Sequence, residues 1–349
     1  MLKLSKILEL EDLKYELAEK KGLHSAEHEE IIAGWTTDIY FLKTREILKK
    51  MGKLKTEVTA EIFPSRSGIF AGRKEALALL EHTGIEVWSL PEGEFMEKGE
   101  VVFRLKGSYG SFGLYETPLL GILASNSAWA QAARECKLAA GELPVICFGA
   151  RHLHPAVAPV MERAATVGGA DGISCILAAR MAGEKAQGTT PHALYLIIGD
   201  TLEGALAYDR YLDSEHPRIV LVDTFKDEAE ETLRVAREMG SRLEGVRLDT
   251  PGERGGVTTD LVREVRARLD QEGFKEVKIV VSGGLNPDRI RDLAEAGADA
   301  FGVGSYISGA RANDMTMDIK EVEGKPVAKR GRVPGITENP RLEKFHGEK

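Results

Sequence analysis

The chain has 349 residues, of which 43% are hydrophobic and 29% charged, and its formal net charge at pH 7 is −8. This composition excludes a disordered protein, and the acidic balance argues against nucleic acid as a general partner. The three cysteines lack CxxC spacing, which argues against a disulfide framework or a cysteine-rich zinc site. No apolar run is long enough to span a membrane and the N-terminus lacks a signal-peptide core, so we expect a cytoplasmic protein.

The first region, residues 1–113, is predicted to be one α/β domain. Its elements are a charged N-terminal helix over residues 1–22, a helical region over 26–51, a strand over 56–64, a helix over 72–84 and short strands with turns over 85–109. The abundance of Glu, Lys and Arg beside few Asn and Gln favours a thermophilic source.

The second region, residues 114–314, changes to strands that alternate with helices, a pattern typical of parallel α/β architecture. Helices are predicted over 116–142 and 155–169. Seven apolar strands are predicted, which favours a barrel over an open sheet: 143–150, 171–177, 192–199, 218–224, 245–250, 277–283 and 300–305. The last region, residues 315–349, is predicted to be a β-hairpin and a tail that pack back on the N-terminal domain.

Glycines follow the last two predicted strands, in VVSGGLNPDRI and AFGVGSYISGA. Glycine lets the backbone approach a ligand closely, and loops after the last two strands of an α/β barrel commonly bind a substrate phosphate. The segments therefore predict a phosphorylated sugar substrate. The alternative is a pair of glycine-rich turns without a ligand.

Charged side chains follow three other predicted strands. Arg247 and Asp249 are two residues apart, so both leave the strand on one face and can bind one ligand. A structural salt bridge is the alternative, and for an isolated pair it is the more common case. Asp223 is placed to orient ribose hydroxyls or hydrated Mg²⁺. Arg151 and His152 form an anion-binding cluster with His154, for which metal ligation is a weaker interpretation.

Eight segments occur in a fixed order along nearly the whole chain: TTDIYF (36–41), FGARHLHP (148–155), GGADGISCILAARMAG (168–183), GTTPHAL (188–194), VDT (222–224), GVRLDTPG (245–252), SGGL (282–285) and GVGS (302–305). The set resembles nicotinate phosphoribosyltransferases, especially short archaeal-type members. Quinolinate phosphoribosyltransferases share the fold, but their basic RKTTPG segment is missing here. The resemblance implies an N-terminal α/β sandwich domain and the irregular (β/α) barrel of type II phosphoribosyltransferases.

The resemblance also implies the reaction and its partners. Nicotinate and phosphoribosyl pyrophosphate would give nicotinate mononucleotide and pyrophosphate in NAD biosynthesis, with Mg²⁺ as cofactor and ATP where turnover is coupled to its hydrolysis. A homodimer or higher homo-oligomer with shared active sites is expected, with no nucleic acid or membrane as partner.

Individual roles are carried over by position. Tyr40 resembles the aromatic residue that stacks on the pyridine ring in a neighbouring subunit's site. Arg151 resembles the arginine near the ring and phosphate, with His152 where many members have a second arginine, and His192 resembles the histidine phosphorylated in ATP-coupled members. Arg247 and Asp249 resemble the pair beside the pyridine and ribose. The resemblance assigns the 5′-phosphate to Ser282, Gly283, Gly284, Gly302, Gly304 and Ser305, and Mg²⁺, through water, to Asp223 and Asp249.

Three alternatives stay open from the sequence. One is quinolinate phosphoribosyltransferase, the decarboxylating enzyme also called nicotinate-nucleotide pyrophosphorylase. Another is a barrel aldolase or isomerase for a different sugar phosphate, although no lysine stands at the end of a predicted barrel strand for a Schiff base. The third is a non-catalytic relative that binds nucleotides.

Overall fold

The structure is a computed structural model that describes residues 6–13 and 24–345. Most of the predicted N-terminal helix over residues 1–22 lies outside the described residues. The chain divides into two compact units, residues 1–128 with 311–349 and residues 129–310. These units divide at 128/129 and 310/311, whereas the sequence predicted boundaries at 113/114 and 314/315, and the observed division at 128/129 falls within the long helix Glu116–Ala140.

The strands are β1 (Glu57–Pro64), β2 (Gly68–Ile69), β3 (Glu86–Ser89), β4 (Phe95–Met96), β5 (Phe103–Ser108), β6 (Val145–Cys147), β7 (Gly172–Ile173), β8 (Ile219–Leu221), β9 (Gly245–Leu248), β10 (Lys278–Ser282), β11 (Ala300–Val303), β12 (Met315–Val322), β13 (Lys325–Pro326) and β14 (Glu343–Phe345). The α-helices are α1 (His28–Ile32), α2 (Ile39–Lys50), α3 (Arg73–Leu80), α4 (Tyr109–Phe112), α5 (Glu116–Ala140), α6 (Ala158–Val167), α7 (Ile176–Ala182), α8 (His192–Ile198), α9 (Thr201–Tyr211), α10 (Glu228–Met239), α11 (Thr259–Gln271), α12 (Pro287–Glu295) and α13 (Ser305–Ser308). Short 3₁₀ helices cover Leu10–Asp12, Glu81–Thr83, Gly113–Tyr115, Ala150–His152, Gly240–Arg242 and Gly252–Arg254.

The first unit contains an antiparallel sheet with the strand order β13-β12-β1-β5-β3-β14. Strand β12, from the end of the chain, pairs with β1 from the start, so the C-terminal segment is part of this sheet. Alternating apolar residues such as Ala60 and Ile62 are fully buried on β1 and pack in a core with residues of α3 and α5. The sheet therefore joins the two ends of the sequence in one domain.

The second unit, all of whose residues are described, contains a parallel sheet with the order β7-β6-β11-β10-β9-β8. The strands are short apolar runs, as expected for strands buried on both faces. Helices α6 and α10 to α12 contribute apolar residues to the same core. Because all the strands are parallel, their carboxyl ends share one edge, and the loops that follow them converge there.

The predicted strand over residues 192–199 is wrong, because these residues form helix α8. A short apolar run does not distinguish a strand from a helix by periodicity. Two helix signals flank the run: Pro191 stands at the N-cap, and Gly199 ends the helix in the left-handed conformation at φ 96°. Tyr195 is buried whereas Ile197 is 85% exposed, which is the one-sided burial of a surface helix. The other six predicted strands are present.

Among the described residues, no helix has the length and apolar character needed to cross a membrane.

Candidate active site at the carboxyl ends of the parallel strands

A cavity of about 360 Å³ lies at the carboxyl ends of strands β6, β7, β9, β10 and β11. Ten residues predicted from the sequence line it: Arg151, His152, Arg247, Asp249, Ser282, Gly283, Gly284, Gly302, Gly304 and Ser305. The structure therefore brings together charged side chains that follow β6 and β9 with the two glycine loops that follow β10 and β11. Parallel strands place them there, since each loop leaves its strand at the same edge.

Arg247 is the centre of a hydrogen-bond network in this cavity. Its Nε donates to Ser282 Oγ at 2.8 Å, and its two terminal nitrogens donate to Thr189 Oγ1 at 3.0 Å and Asp249 Oδ2 at 3.1 Å. Ser282 in turn donates to Asp249 Oδ1 at 2.8 Å. A guanidinium has five N–H groups. Three donate within this network, which leaves two for a ligand anion.

The salt bridge considered as an alternative is therefore present, but it forms part of the cavity wall. The side chains of Arg247 and Asp249 keep 16% and 19% of their surface exposed. The Ser282 hydroxyl accepts from Arg247 and donates its proton to Asp249. That proton is therefore not available for the predicted contact with a phosphate.

The ring of Phe148 packs against the guanidinium of Arg247. This residue was not predicted from the sequence. Its ring centroid lies 5.4 Å from the guanidinium carbon of Arg247, a cation–π distance. A Cβ atom at Gly302 would overlap the same ring. Glycine at 302 therefore makes room for Phe148, a packing role separate from the predicted phosphate contact. The phenylalanine before a glycine at the end of β6 was the only signal in the sequence.

The loop after β10 contains Gly283 and Gly284 at φ 93° and 61°, in the left-handed region that other residues rarely adopt. After β11, a Cβ atom at Gly304 would lie 2.6 Å from the imidazole of His152. Both loops expose backbone to the cavity. Backbone amides of this kind form concave anion sites, so the geometry is suited to a phosphate.

Arg151 and His152 follow β6 in a 3₁₀ turn. Burial, with a smaller effect of the neighbouring Arg151 charge, lowers the pKa of His152, which favours the neutral form of the imidazole. His154 Nδ1 accepts a hydrogen bond from the backbone of Ala156 at 3.2 Å, which is a turn contact. Among the described residues, no three His, Cys, Asp or Glu side chains are grouped as metal ligands.

His192 and Asp223 pair with each other and do not line this cavity. The distance between His192 Nε2 and Asp223 Oδ2 is 3.1 Å, and the Asp223 side chain is fully buried whereas that of His192 is 40% exposed. Burial raises the pKa of Asp223 against the opposing effect of His192. Asp223 Oδ1 is buried without a hydrogen-bond partner in the structure, which is a costly state for a carboxylate.

Tyr40 belongs to the first unit, on helix α2. It is 56% exposed, and its hydroxyl donates to Asp38 at 3.2 Å. A second cavity, of about 250 Å³, lies beside it and is also lined by Glu116 and Thr117. The ring is thus available for a contact outside its own unit.

Thr189 and Thr190 also line the active-site cavity. Thr190 shares a 2.6 Å hydrogen bond with the buried Tyr195, so helix α8 fixes the loop that contacts Arg247. The GTTPHAL segment contained these residues, but only the histidine was given a role by the resemblance. A polar Thr-Thr pair before a proline gives no chemical signal of its own.

Comparison with known proteins identifies both units. Residues 38–127 match the family described as quinolinate phosphoribosyl transferase, N-terminal domain, and residues 129–318 match its C-terminal domain. Among curated relatives, nicotinate phosphoribosyltransferase pncB1 of Mycobacterium tuberculosis is 34% identical over 248 residues, which cover 68% of this chain and 54% of that protein. The chain therefore spans about half the length of the curated relatives it matches.

Two solved structures are similar to most of the chain. The nicotinate-nucleotide pyrophosphorylase from Pyrococcus furiosus is 43% identical with a TM-score of 0.88, covering 93% of this chain and 86% of that one. The human nicotinic acid phosphoribosyltransferase is 21% identical with a TM-score of 0.67, covering 86% and 77%, which shows a shared fold. The predicted α/β fold class, a sandwich domain plus an irregular barrel, is confirmed.

Proposed function

The chain belongs to the quinolinate phosphoribosyl transferase family, and on that premise we propose that it is a nicotinate phosphoribosyltransferase. It would transfer the phosphoribosyl group of phosphoribosyl pyrophosphate to nicotinate, releasing nicotinate mononucleotide and pyrophosphate. The observation that carries the proposal is the cavity where the Arg247–Asp249–Ser282 network faces two glycine loops. Curated relatives named nicotinate phosphoribosyltransferase support the choice of substrate.

The reaction needs positioning and charge stabilisation more than proton transfer. The pyridine nitrogen carries a lone pair and displaces pyrophosphate at ribose C1, through a transition state in which the ribosyl ring gains positive charge. Asp249 is placed to stabilise that charge, while Arg247 and Arg151 bind anionic groups of the substrates. Because Ser282 and Thr189 hold the Arg247 side chain, it needs little reorganisation when the substrate binds.

Charge in the cavity favours nicotinate over quinolinate. Quinolinate carries a second carboxylate, whereas the permanent positive charges along the described cavity wall are those of Arg151 and Arg247, because the pKa of His152 is lowered. Arg247 is already paired with Asp249. The Pyrococcus furiosus structure, named nicotinate-nucleotide pyrophosphorylase, favours the decarboxylating alternative, so quinolinate remains the second candidate substrate.

Magnesium is proposed as the cofactor, with Asp223 and Asp249 as the protein carboxylates. Mg²⁺ usually binds through one or two carboxylates, several waters and substrate phosphates, and the Asp249 charge lies near enough to Asp223 to raise the pKa of that carboxyl. The buried, unpaired Oδ1 of Asp223 fits a site that gains a hydrated cation. When bound, the ion would neutralise the leaving pyrophosphate.

Coupling to ATP is proposed on the His192–Asp223 pair. A buried carboxylate on Nε2 fixes the tautomer and raises the nucleophilicity of an exposed imidazole, as phosphoryl transfer to histidine requires. Incubation with γ-³²P-ATP tests this: acid-labile label should be incorporated in the wild type and lost in His192→Asn. Absence of label, with pyrophosphate release independent of ATP, contradicts it.

A homodimer with shared active sites is proposed because both units expose apolar side chains next to their site residues. The residues are Ile39, Tyr40, Ile47 and Met51 in the first unit and Ile176, Leu177, Met181, Leu196 and Ile197 in the second. Light scattering should give at least twice the monomer mass. Mixing inactive Tyr40→Ala and Arg247→Ala proteins after subunit exchange should restore part of the activity, and no recovery contradicts shared sites.

The substrate assay combines phosphoribosyl pyrophosphate and Mg²⁺ with nicotinate, quinolinate or nicotinamide and follows pyrophosphate release. Release that depends on nicotinate is expected. Release of CO₂ with quinolinate, and none of pyrophosphate with nicotinate, would select the decarboxylating reaction. Binding of the sugar pyrophosphate without any release would indicate a non-catalytic relative.

A further inference from the structure

A carboxylate lies fully buried behind the cavity wall, on helix α6. Glu162 has no exposed surface, and it accepts three hydrogen bonds from the corner between β7 and α7. Two come from backbone N–H groups, Ser174 at 2.9 Å and Cys175 at 2.6 Å, and both end on Oε2. The third comes from the Ser174 hydroxyl, which donates to Oε1 at 2.8 Å.

Ser174 lines the active-site cavity, and these bonds determine what it can offer a ligand. Both of its hydrogen-bond donors, N–H and O–H, point to Glu162. Its hydroxyl oxygen retains lone pairs, so toward the cavity Ser174 acts as an acceptor. A buried carboxylate behind it also repels anions from this corner.

The glycine loops that follow β10 and β11 have a different character. Gly283, Gly284 and Gly304 line the cavity without a side chain, so a phosphate can approach the backbone closely there. A ligand with an anionic group at one end and hydroxyl donors beside it matches this division. A ribose 5-phosphate moiety has that arrangement.

We propose that Ser174 accepts a hydrogen bond from a hydroxyl of the ribosyl group, and that Glu162 is the positioning residue that turns the serine proton away from the cavity. This inference rests on the proposed function for the identity of the sugar. It adds a sugar contact at β7 to the phosphate contact at β10 and β11. Neither residue was identified from the sequence.

The test compares two probes by calorimetry, ribose 5-phosphate and inorganic phosphate, on the full-length protein. Ser174→Ala should bind ribose 5-phosphate about fivefold more weakly, the value of one neutral hydrogen bond, with phosphate binding unchanged. Ser174→Thr, which keeps the hydroxyl, should bind like the wild type. Equal ribose 5-phosphate affinity in wild type and Ser174→Ala would overturn the proposal.

Glu162→Gln tests the positioning role. Its amide N–H would donate to Ser174 Oγ and free the serine proton toward the cavity, so ribose 5-phosphate should bind about as weakly as in Ser174→Ala. The double variant should be no weaker than either single one, because both remove the same contact. Additive losses would mean that Glu162 acts through general stability instead.

Glu231→Gln is the matched control, because Glu231 is also fully buried but pairs with Arg234 at 2.5 Å. It should lower the melting temperature and leave both affinities unchanged. Should Glu162→Gln fail to fold, the Ser174 pair of variants still decides the sugar contact. In turnover, a raised KM for phosphoribosyl pyrophosphate with an unchanged KM for nicotinate is expected. Absence of wild-type turnover would refute the proposed function alone, since the binding comparison does not depend on turnover.

Discussion

Two arginines, one in each unit, have nearly the same environment by simple measures. Arg104 in the first unit is 15% exposed and lies 2.8 Å from Glu61, and Arg247 in the second is 16% exposed and lies 3.1 Å from Asp249. Both stand on strands, β5 and β9. Burial and ion pairing therefore do not separate a functional arginine from a structural one.

The two differ in what else surrounds the ion pair. Arg104 also donates to the carbonyl of Thr337 at 2.6 Å, and Glu61, which is 1% exposed, accepts from the Thr337 backbone N–H at 3.1 Å. That pair fastens the C-terminal tail to the sheet. Arg247 instead contacts two hydroxyls and an aromatic ring beside an open cavity. The difference indicates that a pair that holds two segments of the protein together stabilises the fold, whereas a pair that lines an open cavity can bind a ligand.

Arg247→Ala should give the largest effect. Removing a preorganised donor that faces developing charge typically lowers turnover by a factor of about 10² to 10³. We expect such a loss in kcat/KM for phosphoribosyl pyrophosphate, measured by pyrophosphate release, with a modest change in melting temperature. A variant that retains activity but melts far earlier would put Arg247 in the same class as Arg104.

Arg104→Ala should give the reverse result. It leaves the buried Glu61 without its cation and releases one anchor of the tail, which should lower the free energy of unfolding by about 2–3 kcal/mol. Chemical denaturation measures the loss, and kcat/KM of the protein that remains folded should match the wild type. A selective loss of activity in folded protein would remove the contrast between the two arginines.

Much of this architecture is predictable from the sequence. Parallel strands appear as apolar runs between helical segments, and polar residues after them mark the active edge, as for Arg247 and Asp249. The failure at residues 192–199 has a physical cause: the six apolar residues 193–198 fit a strand or a surface helix equally well until the flanking Pro191 and Gly199 are considered.

Residues that act through packing are not indicated by any such sequence pattern. Phe148 is one apolar residue after an apolar strand, and its contact with Arg247 depends on Gly302, 154 positions further along the chain. Glu162 is one charged residue on a helix, and no periodicity shows that it turns inward to the Ser174 corner. Contacts between distant segments need the fold itself.

Two buried hydroxyls, one in each unit, test the same contrast between function and stability with a smaller expected effect. Ser282 and Thr59 are both 2% exposed, and each hydroxyl donates to a carboxylate, that of Asp249 or of Glu321. Ser282→Ala should lower kcat/KM about five- to tenfold by loosening Arg247 and Asp249. Thr59→Val should leave kcat/KM unchanged and cost up to about 1 kcal/mol of stability in denaturant titration. Equal kinetic effects in the two variants would contradict the assignment of function to one unit's network.

The smallest expected effect concerns Glu116 of the first unit, whose pKa depends more on burial than on a neighbouring cation. Burial and the nearby Asp318 charge raise the pKa of Glu116 from its ordinary value of 4.5 to about 7, although Lys329 opposes the shift. The folded state then holds a proton that the unfolded chain has lost between these values, so this group's contribution to stability falls as the pH rises from 4.5 to 7. Glu116→Gln removes the ionisation, and its melting temperature relative to the wild type should be a few degrees higher at pH 8 than at pH 5. Glu81→Gln, at an exposed glutamate of the same unit, should show no such change between the two pH values. If the melting temperature of Glu116→Gln relative to the wild type is the same at pH 5 and pH 8, the first unit stabilises the charged form of Glu116, as Arg104 does for Glu61.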